Sequence, residues 1–453
     1  MAAHTVDIDA LIDRQNIWRV AVWVLLWAAA TMAADGYDLL SISYVAPRII
    51  AQWGLTRASF GPVFSAANLS SMLGGLAAGV LADRIGRRRT LVLASCLLGV
   101  STLGTALAHS LTSLILWRTI AGVGLGAVPP IAIVLANEFA PARLRSTFVA
   151  VMYLGNALGA TLAGVGAGAL IPLHGWQVVF LIGGIAPLIA GAGVFAFVPE
   201  SLRFLTVRRP DSLELRGVAQ RLAGAELLPA GAVFVAREAH PGHAALSLLF
   251  VDGRWRTTLL LWAAYFTSGV TLYSVINWEP TFLEDLGITP SHAALIASLT
   301  SLAGWCGGMI ITRFMDRFGL RAMVLPPLIG VPLVAGLGYL GGDAEVLITV
   351  VSLLAGAAFA GGHTAIHAAA ALLYPTATRG SGVAMGLIAT RLAGVIAPTA
   401  IGMIYGDAGG ARVALWVAAA PLIIVSVCFV GLDRLSRQCR ARLTAASLSA
   451  ESP

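Results

Sequence analysis

Long apolar runs alternate with short polar stretches along most of the chain. Each run holds about 20 residues, the length that a helix needs to cross the hydrocarbon core of a bilayer. The pattern predicts an all-α membrane protein with twelve transmembrane helices in two six-helix bundles. The predicted spans are residues 19–43, 59–82, 90–108, 111–136, 147–170, 178–198, 257–277, 291–313, 321–340, 345–371, 382–404 and 411–432.

A charged stretch separates the first six runs from the last six. We therefore expect one or two short amphipathic helices there, on the inner membrane surface, and not a separate domain. The predicted organisation is an N-terminal bundle at 1–198, a cytoplasmic linker at 199–256, a C-terminal bundle at 257–432 and a cytoplasmic tail at 433–453.

The first apolar run contains two carboxylates, Asp35 and Asp38. A charged side chain at membrane depth costs about 3 kcal/mol on insertion scales. Two carboxylates in one span therefore indicate a structural or functional role that offsets this cost. Residues three apart lie on nearly the same helix face, and Gly36 between them lets a neighbouring helix or a ligand come close. Burial and a like charge nearby both favour the protonated form. The pattern predicts a proton-coupling pair that faces a pathway. The alternative is a structural cap or an ion pair between helices.

Composition supports a membrane protein and excludes nucleic-acid binding. The 453 residues are 58% hydrophobic and only 11% charged, against about 25% charged in soluble domains. The formal net charge is +7, but every basic side chain is Arg and the arginines cluster between apolar runs. That distribution is a topology signal, because cytoplasmic links carry an excess of positive charge.

The arginines orient the predicted helices. Links after the second, fourth, eighth and tenth helices, the long linker and the tail hold most of them, whereas the opposite links hold few and carry several acids. We expect a multi-pass protein of the bacterial cytoplasmic (inner) membrane, with both termini cytoplasmic and no cleaved signal. The residues assigned to the opposite links are Arg48, Arg57, Arg412, Glu279, Glu284, Asp285, Asp343 and Glu345.

No cofactor or metal is predicted. The four cysteines lack metal-ligand spacing and indicate neither a disulfide nor zinc. No phosphate-binding loop of the Gly-x-x-x-x-Gly-Lys type is present, so ATP hydrolysis does not drive the protein. Because no compact nucleophile constellation appears either, the chain is not expected to be an enzyme.

An internal repeat relates the two halves. Gly74-Gly75 and Gly307-Gly308 are each followed, after seven residues, by Asp-Arg-x-Gly, at Asp83 and at Asp316. The offset is 316 − 83 = 233 residues, about half the chain. Small residues permit tight helix contact, and the acid and the arginine can latch two helices at the inner face. A duplicated six-helix unit with substrate between its halves is a common transporter plan.

Three motifs give a specific resemblance. Residues 79–88 resemble the loop motif of the major facilitator superfamily, residues 118–126 its fourth-helix motif, and residues 199–205 the motif that ends its sixth helix. Within that superfamily, residues 35–38, 276–281 and 374–382 resemble the aromatic acid:proton symporter family. The resemblance covers nearly the whole transmembrane region and implies the major facilitator fold.

The resemblance implies inward, proton-coupled uptake of a carboxylated compound, typically an aromatic acid, by alternating access of two bundles. It gives functional roles to Asp35, Asp38 and Arg118, with Arg379 and Arg391 as further candidates. The expected partners are a small organic acid, protons and the lipid bilayer, with no nucleic acid and with the monomer as the functional form. The candidate gating residues are Gly79, Asp83, Arg84, Gly86, Arg87, Asp316, Arg317 and Arg379.

Arg118 and Asp35 lie at similar depths in their predicted helices, seven and eight residues from the outer ends. Arg118 can therefore meet the carboxylate pair or a substrate anion. Protonation of an aspartate would free Arg118 for substrate. The alternative is a purely structural pair. Arg391, alone at mid-span in the eleventh helix, is a second candidate for the substrate carboxylate.

His363 and His367 lie four residues apart on one face of the tenth helix, where the resemblance implies Gln and Asn. They can relay protons, bind substrate hydroxyls or simply bond to neighbours; a metal would need a third ligand. Trp278 and Trp305 can stack on an aromatic ring, although Trp278 equally fits a membrane-interface anchor. The candidate substrate-binding set is Arg118, Arg391, His363, His367, Trp305 and Asn277.

Two other functions remain open from the residues. One is uptake of a non-aromatic organic acid. The other is efflux by a proton antiporter, which the fifth helix weakly disfavours because residues 155–168 contain no Gly-Pro pair. A membrane sensor is disfavoured because residues 199–256 are too short for an output domain.

Overall fold

The computed structural model describes residues 5–224, 229, 232–235, 249–251, 254–406 and 410–450, with side chains except those of residues 376, 377, 379, 380 and 439–450. Much of the predicted linker and the last three residues of the predicted tail lie outside this set.

The described chain is almost entirely helical. The helices are α1 (Ile8–Arg14), α2 (Ala21–Trp53), α3 (Arg57–Ile85), α4 (Arg87–Ala106), α5 (Leu111–Phe139), α6 (Arg145–His174), α7 (Gln177–Phe197), α8 (Leu202–Arg208), α9 (Leu213–Ala223), α10 (Trp255–Asp285), α11 (Pro290–Phe318), α12 (Leu325–Leu337), α13 (Glu345–Leu373), α14 (Thr376–Ile404), α15 (Gly410–Ala419) and α16 (Pro421–Ala450). Short 3-10 helices occupy Ala142–Leu144, Gly319–Met323 and Gly342–Ala344.

Ten helices among the described residues are long and apolar enough to cross a membrane. A membrane core offers the backbone no water, so a spanning segment must satisfy its own hydrogen bonds, as an α-helix does. The acidic α2 and the 13-residue α12 are not among the ten. The coarse prediction of a helical membrane protein is thus supported, and the count of twelve spans stays a prediction.

Several helices extend beyond the apolar runs that predict them. α2 continues to Trp53 and α10 to Asp285, so charges assigned to outer links lie inside helices instead. α14 begins at Thr376, which places Arg379 in its first turn and not in a loop. Hydropathy detects the apolar part of a helix, whereas backbone hydrogen bonding continues through polar turns at its ends. The corrected positions are Arg48, Glu279, Glu284, Asp285 and Arg379.

The chain forms two compact units. Unit 1 contains residues 1–45 and 66–240, and unit 2 contains residues 46–65 and 241–453. The last part of α2 and the first part of α3 therefore belong to unit 2, although they lie in the N-terminal half of the sequence. Pro47 and Pro62 lie within these two helical parts.

Each copy of the repeat makes the same kind of helix contact within its own unit. A Cβ on Gly74 would lie 2.2 Å from the carbonyl oxygen of Val123, so α3 and α5 approach to backbone distance. A Cβ on Gly307 would lie 2.3 Å from the carbonyl oxygen of Ala357, and α11 and α13 meet in the same way. The tight contact predicted for the repeated glycines is confirmed.

The N-terminal segment packs on the part of the linker that the structure describes. Strand β1 (Thr5–Asp7) pairs in parallel with β2 (Val233–Val235). An ion pair of 2.6 Å joins Asp9 to Arg203 of α8, and α9 buries one apolar face, as an amphipathic helix does. α16 continues from the last predicted span through the predicted tail to Ala450.

Candidate functional site

A fully buried ion pair lies in the middle of unit 1. Arg118 of α5 donates from Nη1 to both carboxylate oxygens of Asp38, at 3.0 and 2.9 Å. The side chains of Arg118 and Asp38 are 1% and 0% exposed. Thr102 of α4 adds a third donor at 2.7 Å, and the Phe180 ring lies 5.9 Å from the guanidinium carbon. Two charges without water are stable only when paired in this way.

Asp35 lies one turn away and has a different partner. Its Oδ2 accepts a hydrogen bond from the Asn156 amide of α6 at 3.1 Å. The two aspartates thus face different helices, because the 300° between them still separates their side chains by 60°. Helix depth alone allowed Arg118 to contact either aspartate. In the structure, Arg118 forms its ion pair with Asp38.

Gly36 makes this arrangement possible. A Cβ at this position would lie 2.0 Å from the carbonyl oxygen of Asn156, closer than any side chain allows. The close approach predicted for this glycine is therefore confirmed, with α6 as the neighbour. It brings the Asn156 amide within reach of Asp35.

Tyr37 points away from both aspartates. Its hydroxyl is buried and has no hydrogen-bond partner among the described residues. The ring lines an apolar cavity of about 550 Å³ between α2, α6 and α7, with Trp27, Leu162 and Ile189 also in its wall. Leu162 and Ile189 are exposed at its rim, so the cavity opens on the apolar outer surface of unit 1.

In unit 2, the two predicted histidines are anchored to α10. Nδ1 of His363 lies 3.0 Å from the Ser268 hydroxyl, and Nδ1 of His367 lies 2.9 Å from the Tyr265 hydroxyl. In the described part of the chain, these are the only hydrogen bonds of the two rings, so Nε2 of each ring remains for a ligand. The described residues contain no group of three or more His, Cys, Asp or Glu that could hold a metal ion.

The other predicted binding residues also belong to unit 2. Asn277 is buried on α10, Trp305 is half-buried on α11, and Arg391 is half-buried at the middle of α14. Trp278 is fully buried; its indole donates to the Pro398 carbonyl at 3.0 Å and packs edge-on against Phe64. The interface-anchor interpretation of Trp278 is therefore wrong, because its polar atom is satisfied inside the protein.

The first copy of the repeated loop motif forms a charged cluster at the end of α3. Arg87 pairs with Asp83 at 2.9 Å and lies 3.6 Å from Glu138 of α5. Gly86 has φ +107°, and a Cβ there would lie 2.2 Å from the Glu200 carboxylate. Glu200 in turn accepts from the Arg88 amide at 3.0 Å and so caps the start of α4.

The second copy lacks such a cluster in the described residues. Asp316 lies 3.8 Å from Arg313 of its own helix, and Arg317 is exposed. In the first copy, Arg84 is also exposed, and a Cβ added to Gly79 would meet no atom within 4 Å. The side chain of Arg379 is outside the described set. Of the predicted gating residues, the structure brings together Asp83, Gly86 and Arg87.

Sequence reasoning missed three acidic partners. Glu138 and Glu200 complete the cluster around Arg87 in unit 1. In unit 2, Asp285 accepts two hydrogen bonds from Arg57, at 2.6 and 2.7 Å, and one from the Tyr405 hydroxyl. The Pro199-Glu200-Ser201 motif was a usable signal for Glu200, whereas nothing in the sequence pairs Arg57 with a residue more than two hundred positions away.

Comparison with known proteins identifies the family. Residues 33–433 match the family model described as Sugar (and other) transporter. The chain is 33% identical over 401 residues to the 4-hydroxybenzoate transporter PcaK of Pseudomonas aeruginosa, covering 87% of this chain and 88% of that one. It is 33% identical over 380 residues to a gallate transporter of Pseudomonas putida, covering 83% and 84%.

The fold has solved counterparts as well. A bacterial homologue of the human lysosomal transporter Spinster superposes with a TM-score of 0.74 at 17% identity, covering 92% of this chain and 97% of that one. Its likeness shows the major facilitator fold and no more. The resemblance inferred from the motifs and the expectation of a non-enzyme are confirmed by the family match and the relatives. The chain belongs to the Sugar (and other) transporter family, and is a multi-pass transporter of the major facilitator superfamily related to proteins named as aromatic acid transporters.

Proposed function

We propose that this protein takes up an aromatic carboxylic acid together with protons, by alternating access, as a monomer in the bacterial inner membrane with both termini inside. The names of its relatives support the substrate class, since they include transporters of 4-hydroxybenzoate and of gallate. Both compounds are hydroxylated benzoates, each with a carboxylate at one end of a flat ring.

The observation that carries the proposal is the buried Asp38–Arg118 pair. A proton that binds Asp38 removes its negative charge and leaves the Arg118 guanidinium without a counter-ion at 1% exposure. A substrate carboxylate then supplies the missing charge, because a guanidinium binds a carboxylate through two parallel hydrogen bonds. Proton and anion binding are thereby linked, since neither charge is stable alone in the dry interior.

Asp35 is the other member of the proton-coupling pair, and the two aspartates together carry one proton in each cycle. Its contact with the neutral Asn156 amide suits both of its protonation states, because an amide offers a donor and an acceptor. The gating roles proposed for Asp83, Gly86 and Arg87 follow from the cluster that these residues form with Glu138 and Glu200.

The histidine pair of unit 2 is proposed to bind ring hydroxyls of the substrate. Nε2 of His363 and of His367 can donate to or accept from a ring hydroxyl, because the tautomer follows the bond made at Nδ1. Arg391, Asn277 and Trp305 complete the proposed binding set in unit 2, and an indole can stack on an aromatic ring.

The deciding experiment is uptake of labelled acids by cells that produce the protein. Benzoate, 4-hydroxybenzoate and the non-aromatic cyclohexanecarboxylate are compared, each with and without a protonophore. We expect accumulation of the aromatic acids, strongest for the hydroxylated one, and its loss when the gradient collapses. Accumulation that survives the protonophore would disprove symport; preference for the non-aromatic acid would disprove the substrate class.

Replacement of Asp35 tests the proton-coupling role. We expect Asp35→Asn to abolish accumulation while counterflow exchange of labelled for unlabelled substrate persists, because exchange needs no net proton release. Asp343→Asn, which changes an exposed aspartate, serves as the control and should leave both activities intact. Accumulation by Asp35→Asn at the level of the unmodified protein would contradict the assignment.

A further inference from the structure

One buried acid of unit 2 has no place in the mechanism above. Glu279 lies on α10, six residues before the helix ends at Asp285, and is 4% exposed. Within the described residues, no arginine or histidine forms an ion pair with it. An isolated carboxylate at such a position costs many kcal/mol, far more than a hydrogen-bonded neutral acid.

Glu279 has a neutral polar neighbour on the next helix. Its carboxyl group hydrogen-bonds to the Thr300 hydroxyl of α11. That hydroxyl also lies 3.0 Å from the Ile296 carbonyl and carries no charge that could balance a carboxylate. Burial without a cationic partner therefore favours the neutral acid at Glu279 in this conformation.

The surroundings of Glu279 are closely packed. A Cβ on Gly356 of α13 would lie 2.5 Å from the Thr300 carbonyl oxygen, so α11 and α13 meet at backbone distance beside the residue that contacts the acid. Trp278, the preceding residue on α10, is fully buried as well. Release of a proton from Glu279 therefore requires a change in this packing that admits water.

We propose that Glu279 is a second proton-binding group of the transport cycle, which carries one proton in unit 2 while the aspartate pair carries another in unit 1. This inference rests on the proposed function. Two protons with one substrate monoanion move one net positive charge inward, so transport is electrogenic. With the aspartate site alone, one proton and one anion would move no net charge.

Proteoliposomes separate these two cases. The purified protein is reconstituted without a pH gradient, and valinomycin with a roughly tenfold potassium gradient makes the interior negative. An electrogenic symporter that moves one net charge then accumulates labelled 4-hydroxybenzoate about tenfold, because the potential and the concentration ratio balance at equilibrium. An electroneutral symporter accumulates none under these conditions.

We expect about tenfold accumulation by the unmodified protein and none by Glu279→Gln, which keeps the side-chain size but cannot carry a proton. Glu345→Gln is the matched control, since Glu345 is a partly exposed acid; it should accumulate as the unmodified protein does. Glu279→Gln should retain accumulation driven by an imposed pH gradient, and also counterflow.

Five outcomes decide the inference. Potential-driven accumulation by Glu279→Gln would overturn it, as would loss of counterflow in a correctly inserted Glu279→Gln protein. If that variant does not insert into the membrane, uptake by the unmodified protein is the test. Electroneutral uptake would overturn the second proton-binding group, and electrogenic uptake of one net charge would support it. If the unmodified protein responds to neither gradient, the proposed function itself fails.

Discussion

Buried ionisable side chains are the residues on which the proposed transport depends. Asp38 and Arg118 are almost inaccessible and pair with each other, whereas Glu279, also buried, has no cationic partner among the described residues. Because a membrane interior penalises every unmatched charge, a change of proton occupancy at one of these groups must change what its partner binds.

A double-mutant cycle on the Asp38–Arg118 pair follows from this reasoning. Asp38→Asn alone and Arg118→Gln alone each leave an uncompensated charge, and we expect each to destabilise the protein by about 3–5 kcal/mol. The double variant removes both charges and should be more stable than either single variant. Thermal unfolding of the purified protein in detergent measures all three.

The exposed pair of Arg209 and Glu214, 4.0 Å apart, provides the comparison for this cycle. Glu214→Gln should change stability by at most about 1 kcal/mol, since solvent screens surface pairs. If the double variant were the least stable of the three, the pair would be a net source of stability and the expected coupling would be wrong.

At the scale of helices, contacts at glycine residues set the distance between neighbouring helices. Gly74 and Gly126 bring α3 and α5 to backbone distance in unit 1, and Gly307 and Gly361 do the same for α11 and α13 in unit 2. Helices in lipid gain no hydrophobic drive from associating, so close packing of small residues contributes much of their affinity.

Gly126→Ala tests that contribution. The new Cβ would lie 1.8 Å from the Ser71 carbonyl oxygen, so α3 and α5 must separate, and we expect a loss of about 1–3 kcal/mol. Gly336→Ala in α12 is the control, because no atom lies within 4 Å of its Cβ; the higher helix propensity of alanine should make it neutral or stabilising by up to about 1 kcal/mol. Equal unfolding temperatures for the two variants would refute the packing argument.

At the scale of the whole molecule, the arginine distribution predicts the orientation. Alkaline phosphatase is active only outside the inner membrane, so fusions at either terminus or after Glu214 should be inactive, whereas an insertion at Asp343 should be active. The reason is that links rich in arginine stay on the cytoplasmic side. Phosphatase activity from a terminal fusion would reverse the predicted topology.

The sequence alone determined the class of the protein and its plan. Apolar runs of membrane length require helices, because no other local structure satisfies the backbone in lipid. The repeat at Asp83 and Asp316 and the motifs at 35–38 and 118–126 were sufficient for the family, which the comparisons confirm. Asp35, Asp38 and Arg118 were identifiable as unusual because charge inside an apolar run is conspicuous without any knowledge of contacts.

Only the tertiary structure decided which of these groups meet. Arg118 pairs with Asp38 and not Asp35, and Glu200 caps α4, because of how α2, α4, α5 and α6 pack and rotate against one another. Glu279 was predicted to lie in an outer link, since its run of apolar residues ends before it, and the structure instead buries it inside α10, in contact with Thr300 of α11. Composition and spacing describe one chain segment at a time. The charge state of a buried group depends on a partner that another segment supplies.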